Sequence, residues 1–452
     1  MKKEKWLVIG ILLYLLVNIA GLFIPLVVNG AKYAQIGREM LENQDWINLT
    51  IGGDAYDQKP PLLFWIAAVV FQMFGISVIA YKTAVLLVSL AGVYGTYKLG
   101  RLLYDKRTGI LAAFFWATSL GYVHYHNDIH TDTLLVVPVI LAIWKFAAFV
   151  KDHRNSHFFW GAFFTGLGML AKGPIAFVII GSAVGLHLLF TRNLKLIFHF
   201  RSLLALAIVI ILTLPALWGL YNQFGTEGIK FYFWTNNIGR VSGSYAGHNT
   251  DPFFYIHTTL YMIAPWTVFS FTGIYMQIRE KIRNRRKFPD ADEFYTIGGI
   301  LIFLLINSVA RAKNPHYELV TLPLIAILAA RWAFPIFERP EFLKLRKAIG
   351  AIHSAIGVLL FVLAGVFLIY VFPEESILIW VVVILLAGLF IYVLTWKNSM
   401  NKQLAFLTVS IASLLFVMNV NIFPHISKYQ SSLEACKVFN EKAGPSEKLH
   451  IY

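Results

Sequence analysis

Trp6–Val28 runs for 23 residues without one charged side chain, and the pattern recurs along most of the chain. A helix of that length crosses about 30 Å of hydrocarbon. Twelve further apolar blocks follow, at approximately 83–100, 108–125, 133–150, 158–171, 174–191, 203–221, 258–278, 294–310, 319–335, 350–372, 377–396 and 403–423. With 58% hydrophobic and only 14% charged residues, and a mean hydropathy of +0.65, the composition departs from that of a soluble domain. Soluble enzymes, coiled coils, disordered chains and disulfide scaffolds are excluded. The expected fold class is all-α: a polytopic membrane helical bundle of about 13 spans.

The net charge of +15 is distributed as an orientation signal rather than as a nucleic-acid surface. If the first span runs outward, every second loop returns to the cytoplasm. Those loops hold Arg101/Lys106/Arg107, Lys151/Arg154, Arg192/Lys195/Arg201, Arg279–Lys287, Arg339/Lys344/Arg346/Lys347 and Lys397/Lys402. The opposite loops carry scattered cations, which is the positive-inside bias. A retained first helix is expected, since a cleavable signal has a shorter apolar core and a small-residue cleavage site. The single cysteine, Cys436, excludes an internal disulfide or a Cys-rich metal site. Residues 1–423 are expected to form the transmembrane domain. The tail 424–452, with its strand-like finish Leu449–Tyr452, is expected as an outer-side segment, the start of a periplasmic domain cut short.

Polar chemistry gathers in the outer loops. In the first of them, Ala31–Leu41 sets Tyr33, Ile36 and Met40 along one face, with Lys32, Gln35 and Glu39 elsewhere. That spacing predicts an amphipathic helix at the interface. Pro60–Gly75 is too short for a confident span and is expected as a second interfacial or re-entrant helix. Asp54 and Asp57 fall in a flexible Gly-Gly loop between them. Gly166-Leu-Gly-Met-Leu-Ala171 matches a dinucleotide fingerprint in form, but no strand precedes it and helix packing explains its glycines better.

Several outer motifs have both a structural and a functional reading. Lys59-Pro60-Pro61 stands where the first loop re-enters the membrane. Its lysine either snorkels to lipid phosphates or binds a phosphate or diphosphate leaving group. His126-Asn-Asp-Ile-His130-Thr-Asp132 brings Asp128, His130 and Asp132 close to hydrocarbon, where ionisable groups are costly and mark sites. Catalysis, substrate binding, helix capping and a metal site all remain open there, and the spacing matches no strong zinc signature. Lys172, in Ala171-Lys-Gly-Pro174, is either solvated or holds a lipid phosphate. Phe231–Trp234 reads as an aromatic belt, while Asn236, Asn237 and Arg240 suit sugar hydroxyls and phosphate. His316 and Tyr317 close a further cationic turn from Arg311.

In this order the motifs resemble the membrane-embedded GT-C glycosyltransferases, particularly the branch of lipid A aminoarabinose transferase and protein O-mannosyltransferases. The matching pieces are Tyr33-Ala-Gln-Ile-Gly-Arg-Glu-Met-Leu41, Lys59-Pro-Pro-Leu-Leu-Phe-Trp65, Asp128-Ile-His-Thr-Asp132, Ala171-Lys-Gly-Pro174, Phe233-Trp234 with Gly239-Arg240, and Pro315-His-Tyr317. They run through residues 29–330. The resemblance implies interfacial helices in the first outer loop and a polyprenyl-phosphate-linked sugar as donor, with inversion at the anomeric carbon. It also implies a bacterial inner-membrane location with the site facing the periplasm. The acceptor is a lipid, glycan or protein; membrane lipids surround the chain, and no nucleic acid, cofactor or metal is expected.

Such chemistry needs a carboxylate near the acceptor and cations on the leaving phosphate. Lys59, Lys172 and Arg240 are expected on the phosphate. Asn29, Tyr33, Asp128, His130, Asn236, Asn237, His316 and Tyr317 are expected on substrate, and Asp132, then Asp57, as base or acceptor-orienting group. The family often has an acid where this chain has Asn29 or Gly30, and another where it has Gln58. Two other functions compete: a lipid-linked sugar flippase or transporter, and a catalytically inactive relative that binds lipid-linked sugar.

Overall fold

The computed structural model describes residues 5–284, 292–397 and 399–429, with a few described positions between 435 and 444. Cys436, the Leu449–Tyr452 finish and the Arg285–Lys287 end of the basic cluster lie outside the described residues. The chain divides into two compact units, residues 28–353 and residues 1–27 with 354–452.

After α1 (Lys5–Leu22) come α2 (Val28–Glu42), a two-stranded hairpin (Thr50–Ile51 with Asp54–Ala55) and α3 (Leu62–Phe74). The chain continues through α4 (Val78–Leu103), α5 (Lys106–Ala117), α6 (Leu120–Asp128), α7 (Thr131–Asp152), α8 (Asn155–Lys172), α9 (Ile175–Phe190) and α10 (Phe200–Lys230). Next are α11 (Ile238–Ser242), α12 (Phe254–Met262), α13 (Thr267–Asn284), α14 (Tyr295–Val309) and α15 (Leu322–Glu338). The last are α16 (Leu343–Val366), α17 (Ile377–Leu394), α18 (Met400–Val417) and α19 (Phe423–Ser427). Among the described residues, eight helices are long and apolar enough to cross a membrane, and α3, α9 and α14 are shorter apolar helices. The chain is an all-α polytopic membrane protein.

Every apolar block of the sequence is largely helical, but three are broken; the first, Trp6–Val28, is helical only to Leu22, stops before Pro25, and gives its Val28 to α2. Block 108–125 divides because the Ser119 hydroxyl accepts from the Tyr122 N–H at 3.3 Å, starting α6 inside a run that reads as continuous. Block 258–278 divides around Pro265, which has no N–H for a helix to use. Pro424, expected to begin the tail, lies in the first turn of α19, where a missing N–H costs nothing.

Within residues 28–353 the core is built on α7 and α15, buried on nearly all sides, which is why their sequences are apolar all round. Gly166 is a packing glycine: a Cβ there would lie 2.6 Å from Leu212 Cδ1 of α10. In the other unit α18 is the buried helix, and Asn419 donates to the Val17 carbonyl at 2.8 Å. On α17, Ile377, Leu378, Ile384 and Leu385 stand exposed, as residues that meet lipid tails do.

In the first loop, α2 lays Tyr33, Ile36 and Met40 inward as their spacing predicts, and Tyr33 packs on Phe64 of α3 at 5.5 Å. Glu39 departs from the expectation. It is buried beneath the hairpin, accepting from Gln35 Nε2 (2.9 Å), Thr50 Oγ1 (2.7 Å) and the N–H groups of Gly52 (2.6 Å) and Gly53 (3.4 Å). Burial alone would raise this carboxyl's pKa, and the four donors outweigh it, holding it below the ordinary value. The loop carrying Asp54, expected as flexible, is thus a clasped hairpin. Gly52 and Gly53 turn it at φ +63° and +87°, the left-handed conformations that glycine adopts without strain.

Candidate active site

The α6–α7 junction supplies the acid. Ile129 is fully buried at φ +47°, a costly conformation for a β-branched residue, and it ends α6 so that α7 starts two residues later. Asp132 lies in the first turn of α7, where the helix dipole favours a carboxylate. It is buried and bonded through Oδ1 to the Lys172 ammonium at the end of α8. Its Oδ2 faces His316 Nε2 at 3.8 Å. The His316 ring lies against His130 at 4.4 Å between centroids, and His130 Nε2 is 2.7 Å from Asp128 Oδ2. Tyr33 reaches the same junction through Thr131.

Arg240 arrives from the far end of the second loop. Here α10 breaks at Gly225 (φ +61°) and continues into a π-helical turn at Phe231–Thr235, a form found often at functional sites. Backbone hydrogen bonds tie this segment to the Arg311 turn: Arg311 N to Val241 O at 3.2 Å and Ala312 N to Arg240 O at 3.1 Å. The Arg240 guanidinium consequently meets Tyr317, donating from Nη1 to its hydroxyl at 3.2 Å, and donates from Nε to Asn236 Oδ1 at 2.7 Å. The Lys172 ammonium lies 3.9 Å from the centre of the same Tyr317 ring. One tyrosine therefore separates two cations.

Lys59 completes the group. With Lys172, Arg240, Asn236, Asn237 and Tyr317 it lines a cavity of about 270 Å³, whose other walls, apart from Asn307, are apolar, with α9 and α14 prominent among them. Burial, then the neighbouring Lys172 charge, brings the Lys59 ammonium down from its ordinary value to about 7; Arg240 and Lys32 push the same way, and Asp132 opposes them. Among the described residues, Asp132, bonded to Lys172, is the one carboxylate in direct contact with Lys59, Lys172 or Arg240. The cavity wall is positive and unbalanced.

Of the other residues singled out by sequence, Asn237 lines the cavity but gives its amide to the Tyr232 carbonyl at 2.8 Å. Asp57 accepts from Gln58 Nε2 at 2.6 Å. Asn29 is half-buried in the first turn of α2, and its side chain forms no hydrogen bond among the described residues. Two residues were missed. Gln58 accepts from the Tyr245 hydroxyl at 2.7 Å, and its carbonyl accepts from Asn236 at 3.3 Å, so it fastens Lys59 to the Arg240 segment. Tyr245 also lies 5.2 Å below the Arg240 guanidinium. Gln58 stood out only as a departure beside Lys59, and nothing in its sequence neighbourhood signals Tyr245.

The ring nitrogens of His130 and His316 and a carboxylate oxygen of Asp132 lie within 4.8 Å of one another, a spacing that fits a divalent cation. Lys172 already engages one Asp132 oxygen, and Asp128 one nitrogen of His130. A cation there would compete with both.

The profile of the dolichyl-phosphate-mannose-protein mannosyltransferase family matches residues 58–218. Among curated relatives, an undecaprenyl phosphate-alpha-4-amino-4-deoxy-L-arabinose arabinosyl transferase of Edwardsiella ictaluri is 28% identical over 343 residues, 73% of this chain and 60% of that protein. The enzyme of that name in Yersinia pestis is 25% identical over 397 residues, 84% of this chain and 68% of that protein. The chain spans about three fifths of the length of the first of these relatives. Among solved structures, ArnT from Cupriavidus metallidurans bound to undecaprenyl phosphate superposes with a TM-score of 0.78 at 16% identity, over 99% of this chain and 82% of that one. The apo oligosaccharyltransferase of Archaeoglobus fulgidus gives 0.53 at 12% identity, over 98% and 59%. The fold is the GT-C fold that the motif order implied.

Proposed function

We propose that this GT-C-fold chain transfers a sugar from a polyprenyl-phosphate-linked donor to an acceptor at the periplasmic face of a bacterial inner membrane. The observation that carries the reading is the unbalanced cavity: Lys59, Lys172 and Arg240 around one tyrosine, with Asp132 the one carboxylate in direct contact with them among the described residues. A cavity of that charge, lined with apolar side chains on its other walls, suits a phosphate joined to an isoprenoid chain.

In the reaction an acceptor oxygen attacks the anomeric carbon, and the bond from that carbon to the phosphate oxygen breaks. The electron pair leaves with the phosphate, where Lys59, Arg240 and the Tyr317 hydroxyl stabilise it. Lys172 bridges the halves of the site. Paired with Asp132 in this structure, it moves toward the phosphate once donor is bound and frees the carboxylate to take or orient the acceptor proton. His316 faces the other oxygen of Asp132 and fixes its direction. Asp57, engaged by Gln58, is the second candidate for the acid.

The relatives' names make undecaprenyl-phosphate-linked 4-amino-4-deoxy-L-arabinose the first donor to test, with lipid, glycan and protein acceptors offered in turn. The experiment is transfer of labelled sugar by the purified chain reconstituted in liposomes. Turnover dependent on the lipid-linked donor is the expected result. Donor binding without turnover would instead favour the inactive relative, the reading that Asn29 supports. Passage of the donor across the bilayer without transfer would favour the flippase.

A further inference from the structure

The unit that holds the Lys59 cavity has a second cavity, and α9 contributes to both. Ile175 and Val178 face the first; Phe177, Ile180, Gly181, Val184, Gly185 and Leu188 face the second. The second encloses about 330 Å³ between α7, α8, α9 and α10 and is almost wholly apolar. Gly181 and Gly185 leave it open as a trough along the helix, since a Cβ at either would meet nothing within 4 Å.

The trough closes at the Thr191–Phe200 connection, and that rim is cationic. Leu196 and Ile197 line the cavity, while Phe198 and Phe200 are exposed at 83% and 69%. Between and beside these apolar residues stand Arg192, Lys195, His199 and Arg201. Arg201 is the informative one. Its guanidinium lies over Phe149 at 4.5 Å and Phe158 at 5.6 Å, and both rings line the trough. The guanidinium makes one long hydrogen bond, Nη1 to Asn155 Oδ1 at 3.4 Å, its buried Nε has no partner, and it forms no ion pair among the described residues. A guanidinium held over the aromatic lip of an apolar trough has no carboxylate partner among the described residues.

We infer that this trough is a binding site for one anionic phospholipid, an acyl chain lying along Gly181 and Gly185 and the phosphate resting on Arg201. Charge complementarity selects this occupant over the isoprenoid tail of a donor. A donor's phosphate belongs at Lys59 and Arg240, beyond the other end of α9, and its uncharged tail has no use for Arg201. The site stands independently of the transfer reading, because its residues are separate from those of the Lys59 cavity.

The test is native mass spectrometry of the purified full chain in detergent, offered phosphatidylglycerol and phosphatidylcholine of identical acyl chains. One phosphatidylglycerol should be retained in preference to phosphatidylcholine by about fivefold, the scale of one cation near a lipid surface. Arg201→Gln should erase the preference while leaving weak, headgroup-blind binding. The paired change Gly181→Leu and Gly185→Leu should expel both lipids, with gel filtration and circular dichroism checking its fold; if that variant fails to fold, Arg201→Gln decides alone. Equal retention of the two lipids by the wild type, or an unchanged preference in Arg201→Gln, overturns the proposal. So does stoichiometric displacement of phosphatidylglycerol by undecaprenyl phosphate, which would give the trough to the donor's tail.

Discussion

Two clusters of buried charge lie within residues 28–353, and they are built to opposite rules. Around Arg331 the charges close on themselves. Its guanidinium reaches Glu280 at 2.5 Å, Gln277 and the Tyr104 hydroxyl; Tyr104 in turn donates to Glu293 at 2.5 Å, which also accepts from Thr296 at 2.6 Å. Beside them Lys281 pairs with Asp292 at 2.7 Å. Two cations pair with two carboxylates, Glu280 and Asp292, and the third, Glu293, is held by the neutral donors Tyr104, Gln277 and Thr296. Around Lys59, the cations Lys59, Lys172 and Arg240 have one carboxylate in direct contact among the described residues, Asp132 on Lys172, while Asp128 is engaged by His130. Burying charge without a partner is expensive. A fold that tolerates such an excess of one sign has left room for a ligand of the other. The balanced cluster holds helices together, and the unbalanced one waits for an anion.

The sharpest way to break this contrast is to remove the single acid of the unbalanced cluster. Asp132→Asn should lower sugar transfer about 100-fold or more, the usual scale for a positioned base. Lys172 would then have lost its partner, so the variant must first be shown monodisperse. Wild-type turnover in the folded variant would take Asp132 out of the mechanism and make Asp57 the next residue to test.

Removing a cation should act on donor binding. Each of Arg240→Gln and Lys59→Met is expected to raise the KM for the lipid-linked donor by roughly tenfold to a hundredfold, the worth of one charged hydrogen bond. The acceptor KM should stay near its original value. Equal effects on both substrates would mean that the cations shape the cavity rather than hold phosphate.

A smaller effect follows from Lys59, whose pKa falls from 10.5 to about 7, chiefly through burial and then through Lys172. A bound phosphate favours the charged ammonium, so binding takes up a proton above pH 7. Donor affinity should be flat below pH 7 and weaken above it, by at most about tenfold per pH unit for one proton. Stability of the protein without donor has the opposite sign. Between about 7 and 10.5 the unfolded chain binds the extra proton, so stability should rise with pH there. Calorimetric titrations in buffers of different ionisation enthalpy would show the proton uptake, and a Lys59→Arg variant should lose it. Uptake unchanged in that variant would place the titrating group elsewhere.

The sequence made the helices legible because each apolar block carries its own signal. The breaks at Ser119 and Pro265 were obscured by apolar residues on both sides. In the site, the gathering of Lys59, Lys172 and Arg240 was readable from their shared presence in outer loops, where cations run against the charge bias. Their partners were not. The contacts of Lys172 with Asp132 and of Gln58 with Tyr245 join residues 40 and 187 positions apart, and nothing local encodes them. Glu39 was misjudged for a related reason: helical spacing put it outside the apolar face, but the hairpin that covers it comes from residues beyond the helix.

The balanced cluster gives the control, and its effect on transfer should be the smallest. Arg331→Leu leaves Glu280 and Gln277 without their partner. The two ends of the ion pair keep 22% and 23% of their side-chain surface exposed, so the loss falls between that of a surface pair and that of a fully buried one, about 2 kcal/mol. A fall in the apparent melting temperature of the detergent-solubilised protein is therefore expected. Transfer per folded molecule should stay within about twofold, because no residue of this cluster lines the Lys59 cavity. Pairing the change with Glu280→Leu should recover part of the lost stability, since the remaining carboxylate would no longer be stranded. A variant that melts like the wild type yet loses transfer tenfold would show that the closed cluster also serves the reaction. The distinction between balanced and unbalanced charge would then fail as a guide to which one is the site.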